Sequence, residues 1–143
     1  MRHSVLLVLC LLTAAATCAC GKDAEKPDDK AAIQGHWVRQ YAQCADKIVR
    51  GYEGMQYVLY GEGGCNIFPN GKTHDFKVIL DQTTSPKRMT MKFGEQVTRA
   101  VYQLDGDSMK VIIRCDDKNE EWPTEFVAGP QDILFVDKRV TAD

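Results

Sequence analysis

From Gly35 onward, apolar and polar residues alternate with a period of two, in short runs punctuated by turn residues. That is the signature of strands buried on one face. Arg88-Met89-Thr90-Met91-Lys92-Phe93 shows it most cleanly: Met89, Met91 and Phe93 point one way, Arg88, Thr90 and Lys92 the other. Phe76, Val78 and Leu80 share a face within 73–81, and Ala100, Tyr102 and Leu104 within 97–104. Met109, Val111, Ile113 and Cys115 share one within 109–115. Further strands are predicted over 36–42, 55–60, 65–68 and 133–138, with another apolar run at 122–127. Residues 43–55 read as a longer connection with a helical turn. Turns fall at Gly61-Glu62-Gly63-Gly64, Thr83-Thr84-Ser85-Pro86, Gly94, Asp105-Gly106-Asp107 and Gly129-Pro130. Pro69-Asn70-Gly71-Lys72 predicts a two-residue type I′ hairpin, because Asn-Gly accepts positive φ.

A series of short strands joined by tight turns predicts an all-β fold: a single antiparallel up-and-down barrel of eight to nine strands. A meander of this size would otherwise expose two long edges, and closure removes them. One apolar face per strand implies an interior filled by a single layer of side chains. No internal repeat, heptad or βαβ alternation competes with this reading.

The pattern is different ahead of the strands. Arg2 and His3 precede the apolar run from Val5 to Leu12, and small residues lead to Ala19-Cys20-Gly21. A basic start, a short apolar core and a small-residue exit make a secretory signal over 1–20. The run is too short to span a bilayer. Ala19-Cys20-Gly21 resembles the lipobox end of bacterial lipoproteins, with Thr17 where that motif usually carries Leu. The resemblance implies acylation of Cys20, hence an exported, lipid-anchored envelope protein, or a secreted one if Cys20 stays bare. Residues 21–32 read as a flexible tether, charged and without apolar anchors from Lys22 to Lys30. Asp28 or Asp29 is placed to cap a helical turn through Ala31, Ala32 and Ile33. Residues 33–143 remain as one barrel domain.

Composition narrows the chemistry. Of 143 residues, 44% are hydrophobic, and the formal net charge is −2. No basic cluster stands out, which argues against nucleic acid as a partner. The barrel keeps Cys44, Cys65 and Cys115. Outside the cytoplasm a disulfide is the first expectation for two of them. Alternating strand direction puts Cys44 and Cys115 at one barrel end and Cys65 at the other, which favours a Cys44–Cys115 bridge. There is no Cys-x-x-Cys pair for a metal, and no cofactor motif. His36 and His74 are expected to be exposed, without a nucleophile–base–orienter set. Asp116-Asp117 falls in a loop lacking the further ligands that calcium needs. Glu125, in Pro-Thr-Glu-Phe, is read as a loop-to-strand anchor. Nothing here spells an enzyme.

Ile33-Gln34-Gly35-His36-Trp37 opens the first strand, and Arg139 follows the last. Gly-x-Trp at that place resembles the lipocalin signature, in which the Trp closes one barrel end and a late Arg packs across it. The resemblance assigns those roles to Gly35, Trp37 and Arg139. Together with Tyr102-x-Leu104-Asp105-Gly106-Asp107 and Pro123-Thr124-Glu125-Phe126, it looks like a lipocalin-like family abundant in planctomycete-type bacteria. That family is of unknown function. The segment Trp122-Pro123 replaces the usual Arg-Pro, and 38–54 match poorly. The inward set is Tyr60, Phe76, Met89, Met91, Phe93, Tyr102, Met109 and Ile113. Adaptable Met suits a cavity for a small apolar or amphipathic ligand. The same residue types also fill a small barrel, which is the reading they favour. Two functions follow: a ligand-binding envelope lipoprotein, or a packed barrel acting as a protein- or envelope-interaction module.

Overall fold

The computed structural model describes residues 28–115 and 121–141. The signal segment, Cys20, most of the tether and the Asp116-Asp117 pair lie outside the described residues. The described chain opens with a short helix, α1 (Asp29–Ala32), capped by the Asp28 side chain on the Lys30 amide. Nine antiparallel strands follow: β1 (Gly35–Cys44), β2 (Lys47–Ile48), β3 (Gln56–Tyr60), β4 (Gly63–Ile67), β5 (Thr73–Asp81), β6 (Lys87–Phe93), β7 (Gln96–Asp105), β8 (Ser108–Arg114) and β9 (Asp132–Arg139). From β3 to β9 each strand pairs with the next, and β1 pairs with both β3 and β9. The sheet is therefore a closed, lipocalin-like up-and-down barrel of eight strands. The two-residue β2 only extends the end of β1, pairing with Gln43 and Cys44. Closure leaves no long edge with unpaired backbone groups, as the strand pattern required.

The turns follow from local chemistry. The hairpins after β3, β6 and β7 put Gly61, Gly94 and Gly106 first in two-residue loops, at φ of 56°, 62° and 55°. Glycine first and an ordinary residue second is the type II′ pattern, whose twist matches that of strands. The β4–β5 connection is not the expected type I′ hairpin. Only Gly71 has positive φ there, and the Gly71 amide bonds the Phe68 carbonyl at 2.9 Å. Pro69 has its φ locked near −65°, which places it first inside a type I turn. The turn after β3 is also shorter than the sequence suggested, because Gly63 and Gly64 already belong to β4.

Inside the barrel, Trp37, Tyr57, Leu59, Phe76, Val78, Met89, Ala100, Tyr102, Met109, Val111 and Phe135 form the buried core. A bulge in β1 shifts its register between Arg39 and Tyr41. It explains why Trp37 and then Ala42, five residues on, both lie buried on the core side. The expectation of one apolar face per strand fails for β7 and β8. Val101 and Ile112 are fully buried, yet they alternate with the inward residues Ala100, Tyr102, Val111 and Ile113 and lie outside the main core cluster. The segment after β8 also contributes the buried Ala128, and its Trp122 ring lies 5.1 Å from the Arg88 guanidinium on the outward row of β6. Trp122 therefore packs on the outside of β6, and the apolar run at 122–127 forms no strand.

One barrel end is plugged by α1. Ile33 is buried, and its carbonyl accepts from the Trp37 indole at 2.9 Å. Asp29 is buried too, taking the Lys87 ammonium at 2.5 Å and the Tyr102 hydroxyl at 2.9 Å. The helix assigned to the tether is thus part of the barrel floor. Arg139 lies 4.3 Å from the Trp37 ring centre and donates to the carbonyls of Ala32 and Gln34. Such a cation over an indole contributes about 0.5–2 kcal/mol. Gly35 sits beneath that guanidinium at φ 123°, where an added Cβ would come within 2.8 Å of Nη1.

Candidate functional site

Between the plug and the opposite end lies a cavity of about 240 Å³. The interior is therefore not completely filled by its own side chains, against the balance of residue types. Phe76, Met89, Met91, Phe93, Met109 and Ile113 line the cavity, as the alternation placed them. Phe93 stacks on Phe76 with ring centres 5.0 Å apart. Two members of the expected inward set lie elsewhere. Tyr60 is half exposed on the outside, because the inward row of β3 is Tyr57 and Leu59, one residue out of phase. Tyr102 does face inward, but its hydroxyl is taken by Asp29 in the floor. Burial and that carboxylate push the Tyr102 phenol well above its ordinary range.

The polar corner of the cavity was not among the expected residues. Asp137 on β9 is fully buried. Arg39 donates to its two oxygens from Nε at 3.0 Å and Nη2 at 3.4 Å. The Tyr57 hydroxyl donates to Oδ2 at 2.7 Å. Arg39 and Asp137 face each other across the β1–β9 ladder, and Tyr57 stands opposite Trp37 on the neighbouring β3. The guanidinium also lies 3.5 Å from the Phe135 ring centre. The Tyr52 ring meets Phe135 edge-on at 5.3 Å, bringing in the turn Arg50–Tyr52 from the β2–β3 connection. Burial, then the adjacent Asp137 charge and hydrogen bond, push the Tyr57 phenol far up. It stays protonated and donates. Asp137 receives three hydrogen bonds, so its buried charge is compensated, the condition under which an interior ion pair persists.

A signal for this corner exists in the sequence. Arg39 is two residues beyond Trp37, and Asp137 lies midway between Phe135 and Arg139. Both therefore share the inward phase of their strands, with opposite charges on the first and last staves. A search for apolar residues on the inward face passes over them.

Other candidate residues lie apart from the cavity. Cys44 and Cys115 are not bridged. β9 runs between β1 and β8, so the two cysteines flank it, Cys44 level with Ile133 and Cys115 with Gln131, two strand spacings across and two residues along, or roughly 11–12 Å apart. The Cys44 thiol instead approaches the Pro130 carbonyl at 3.8 Å. Cys65 has a thiol held up in pKa, first by its hydrogen bond to Asp75 and then by desolvation. His36 meets the Gln56 side chain at 2.9 Å. His74 is exposed, its ring tilted against Phe93 at 5.5 Å. Glu125 is exposed. Among the described residues, no three His, Cys, Asp or Glu side chains converge as a metal site. No helix among them is long and apolar enough to cross a membrane.

Architecture and site together define the molecule as a lipocalin-like barrel, plugged at one end and carrying an apolar interior cavity with one buried polar corner. No protein-family model, curated protein or solved structure matches this chain.

Proposed function

We propose that this chain is an exported envelope protein that holds a small apolar or amphipathic molecule inside its barrel. The cavity of about 240 Å³ carries the reading. Its walls are mostly Phe, Met, Val and Ile side chains, with a few fixed polar groups, the usual make-up of a small-molecule site. The signal-like segment and Cys20 support export and attachment through lipid, and the resemblance to a lipocalin-like bacterial family fits both. The chain enters the barrel at its plugged end, through α1. An anchor on Cys20 would therefore hold the plugged end toward the membrane.

The test is native mass spectrometry of the exported protein, recovered without detergent, before and after organic extraction. A discrete, extractable mass is expected. A bare protein mass, unchanged on challenge with a mixed lipid extract, would overturn the reading. It would favour an interaction module, with the outward-facing Tyr60 and Ile79 (52% and 50% exposed) as the first contacts to probe.

A further inference from the structure

We propose that the occupant is an uncharged molecule of about ten non-hydrogen atoms, bearing a carbonyl that accepts a hydrogen bond from Nη1 of Arg39. The inference rests on the cavity-binding reading and names the ligand class for it.

Size comes from volume. A dry cavity of about 150 Å³ accommodates benzene, so about 240 Å³ scales to roughly ten heavy atoms. Charge comes from the lining. Among the described residues, Arg39 and Asp137 are the only ionic side chains on the cavity, one of each sign and bonded to each other. The interior therefore carries no net charge. An anionic ligand would add an unbalanced negative charge in apolar surroundings near Asp137, and a cation would meet the guanidinium. Either would be desolvated without a full counter-charge.

Donor and acceptor accounting supplies the head group. Asp137 is fully buried and already accepts from Arg39 twice and from Tyr57. It has no open face for a ligand donor. Arg39 carries five N–H donors. Asp137 engages Nε and Nη2, and among the described residues no protein group accepts from Nη1. No fully buried side-chain nitrogen or oxygen lacks a partner among those residues, so Nη1 reaches open space. Arg39 lines the cavity, and its side chain is 13% exposed. Asp137 and the Phe135 ring hold the guanidinium in place. At Arg39 the site thus offers fixed donors, with the Tyr57 hydroxyl and the Asn66 amide as the neutral polar groups beside them. A ketone or ester oxygen fits those donors and brings no proton of its own to place. Asn66 stands opposite Tyr57 across the β3–β4 ladder and also lines the cavity.

The experiment is calorimetric titration of the mature protein with four molecules of matched size: methyl hexyl ketone, octanoate, octylammonium and butylbenzene. The ketone is expected to bind at least about tenfold more tightly than the other three. The infrared carbonyl stretch of the bound ketone should move to lower frequency. In an Arg39→Met/Asp137→Leu protein, the ketone should lose both its advantage over butylbenzene and the shifted stretch. Equal affinities for ketone and butylbenzene, or octanoate or octylammonium as the tightest ligand, would overturn the assignment while leaving the cavity reading in place. If none of the four binds, the cavity reading itself falls, and this inference with it. Should the double variant fail to fold, the affinity order and the carbonyl stretch in the unaltered protein still decide.

Discussion

Replacing Asp137 with Ala separates a structural ion pair from an incidental one. The carboxylate is fully buried, and Arg39 is nearly so, with 13% of its side chain exposed. Asp137→Ala leaves the guanidinium inside the barrel with only aromatic faces around it, and leaves the Tyr57 hydroxyl without its acceptor. Breaking a buried pair from one side costs about 3–5 kcal/mol, because the surviving charge loses its compensation. Domains of this size are stable by about 5–15 kcal/mol, so the loss is a large share of the total. At about 4 °C per kcal/mol, the melting temperature should fall by roughly 12–20 °C. Arg39→Met/Asp137→Leu removes both charges while filling the space, and should lie within about 1 kcal/mol of the parent or above it. Urea unfolding of the parent, Arg39→Met, Asp137→Leu and the double variant completes the cycle. A loss below 1 kcal/mol for Asp137→Ala, or a double variant as unstable as the sum of the singles, would refute the idea that the two charges compensate each other.

Four further outcomes follow from the geometry. Gly35→Ala pushes a Cβ to within 2.8 Å of the Arg139 guanidinium at φ 123°, and should cost about 1–3 kcal/mol in thermal melts. Ile112→Ala, at a fully buried site on the outer face, should cost about 2–5 kcal/mol in urea, whereas Ile79→Ala at a half-exposed outer site should stay within about 0.5 kcal/mol. Because the folded-state pKa of Tyr57 is raised, its contribution is complete below the unfolded value near 10 and is lost as pH rises through the folded value. Tyr57→Phe should therefore be less stable at neutral pH, by about 1.5–3 kcal/mol, and lose less stability on going alkaline, as read by urea midpoints across a pH series. Cys44→Ser should leave non-reducing mobility and melting unchanged, since no bridge joins Cys44 to Cys115.

Much of the wall was legible from residue order alone. Side chains in a strand alternate, so Met89, Met91 and Phe93, or Phe76 and Val78, announce their face without any partner being known. Gly-x-Trp and Arg139 likewise pointed to a closed end, and the Trp37–Arg139 contact forms at 4.3 Å. Tyr60 shows how little displacement undoes such an inference: β3 is five residues long, and a phase error of one turns its inward row outward.

What the sequence by itself determined is the set of local choices: period-two patterning, glycine-bearing turns, an Asp cap on α1, and hence a closed antiparallel barrel. Three features were decided only in three dimensions. Val101 and Ile112 are buried on the outer side of β7 and β8, a second apolar face that periodicity could not assign, and Trp122 packs on Arg88 beside them. β9 inserts between β1 and β8, which parts Cys44 from Cys115 although both fall at the same barrel end. Arg39 and Asp137, 98 positions apart, meet because barrel closure sets the first strand beside the last. A charge reads as solvent-facing until its partner is placed against it, and only closure places that partner. The polar corner of the cavity is therefore a property of the tertiary structure.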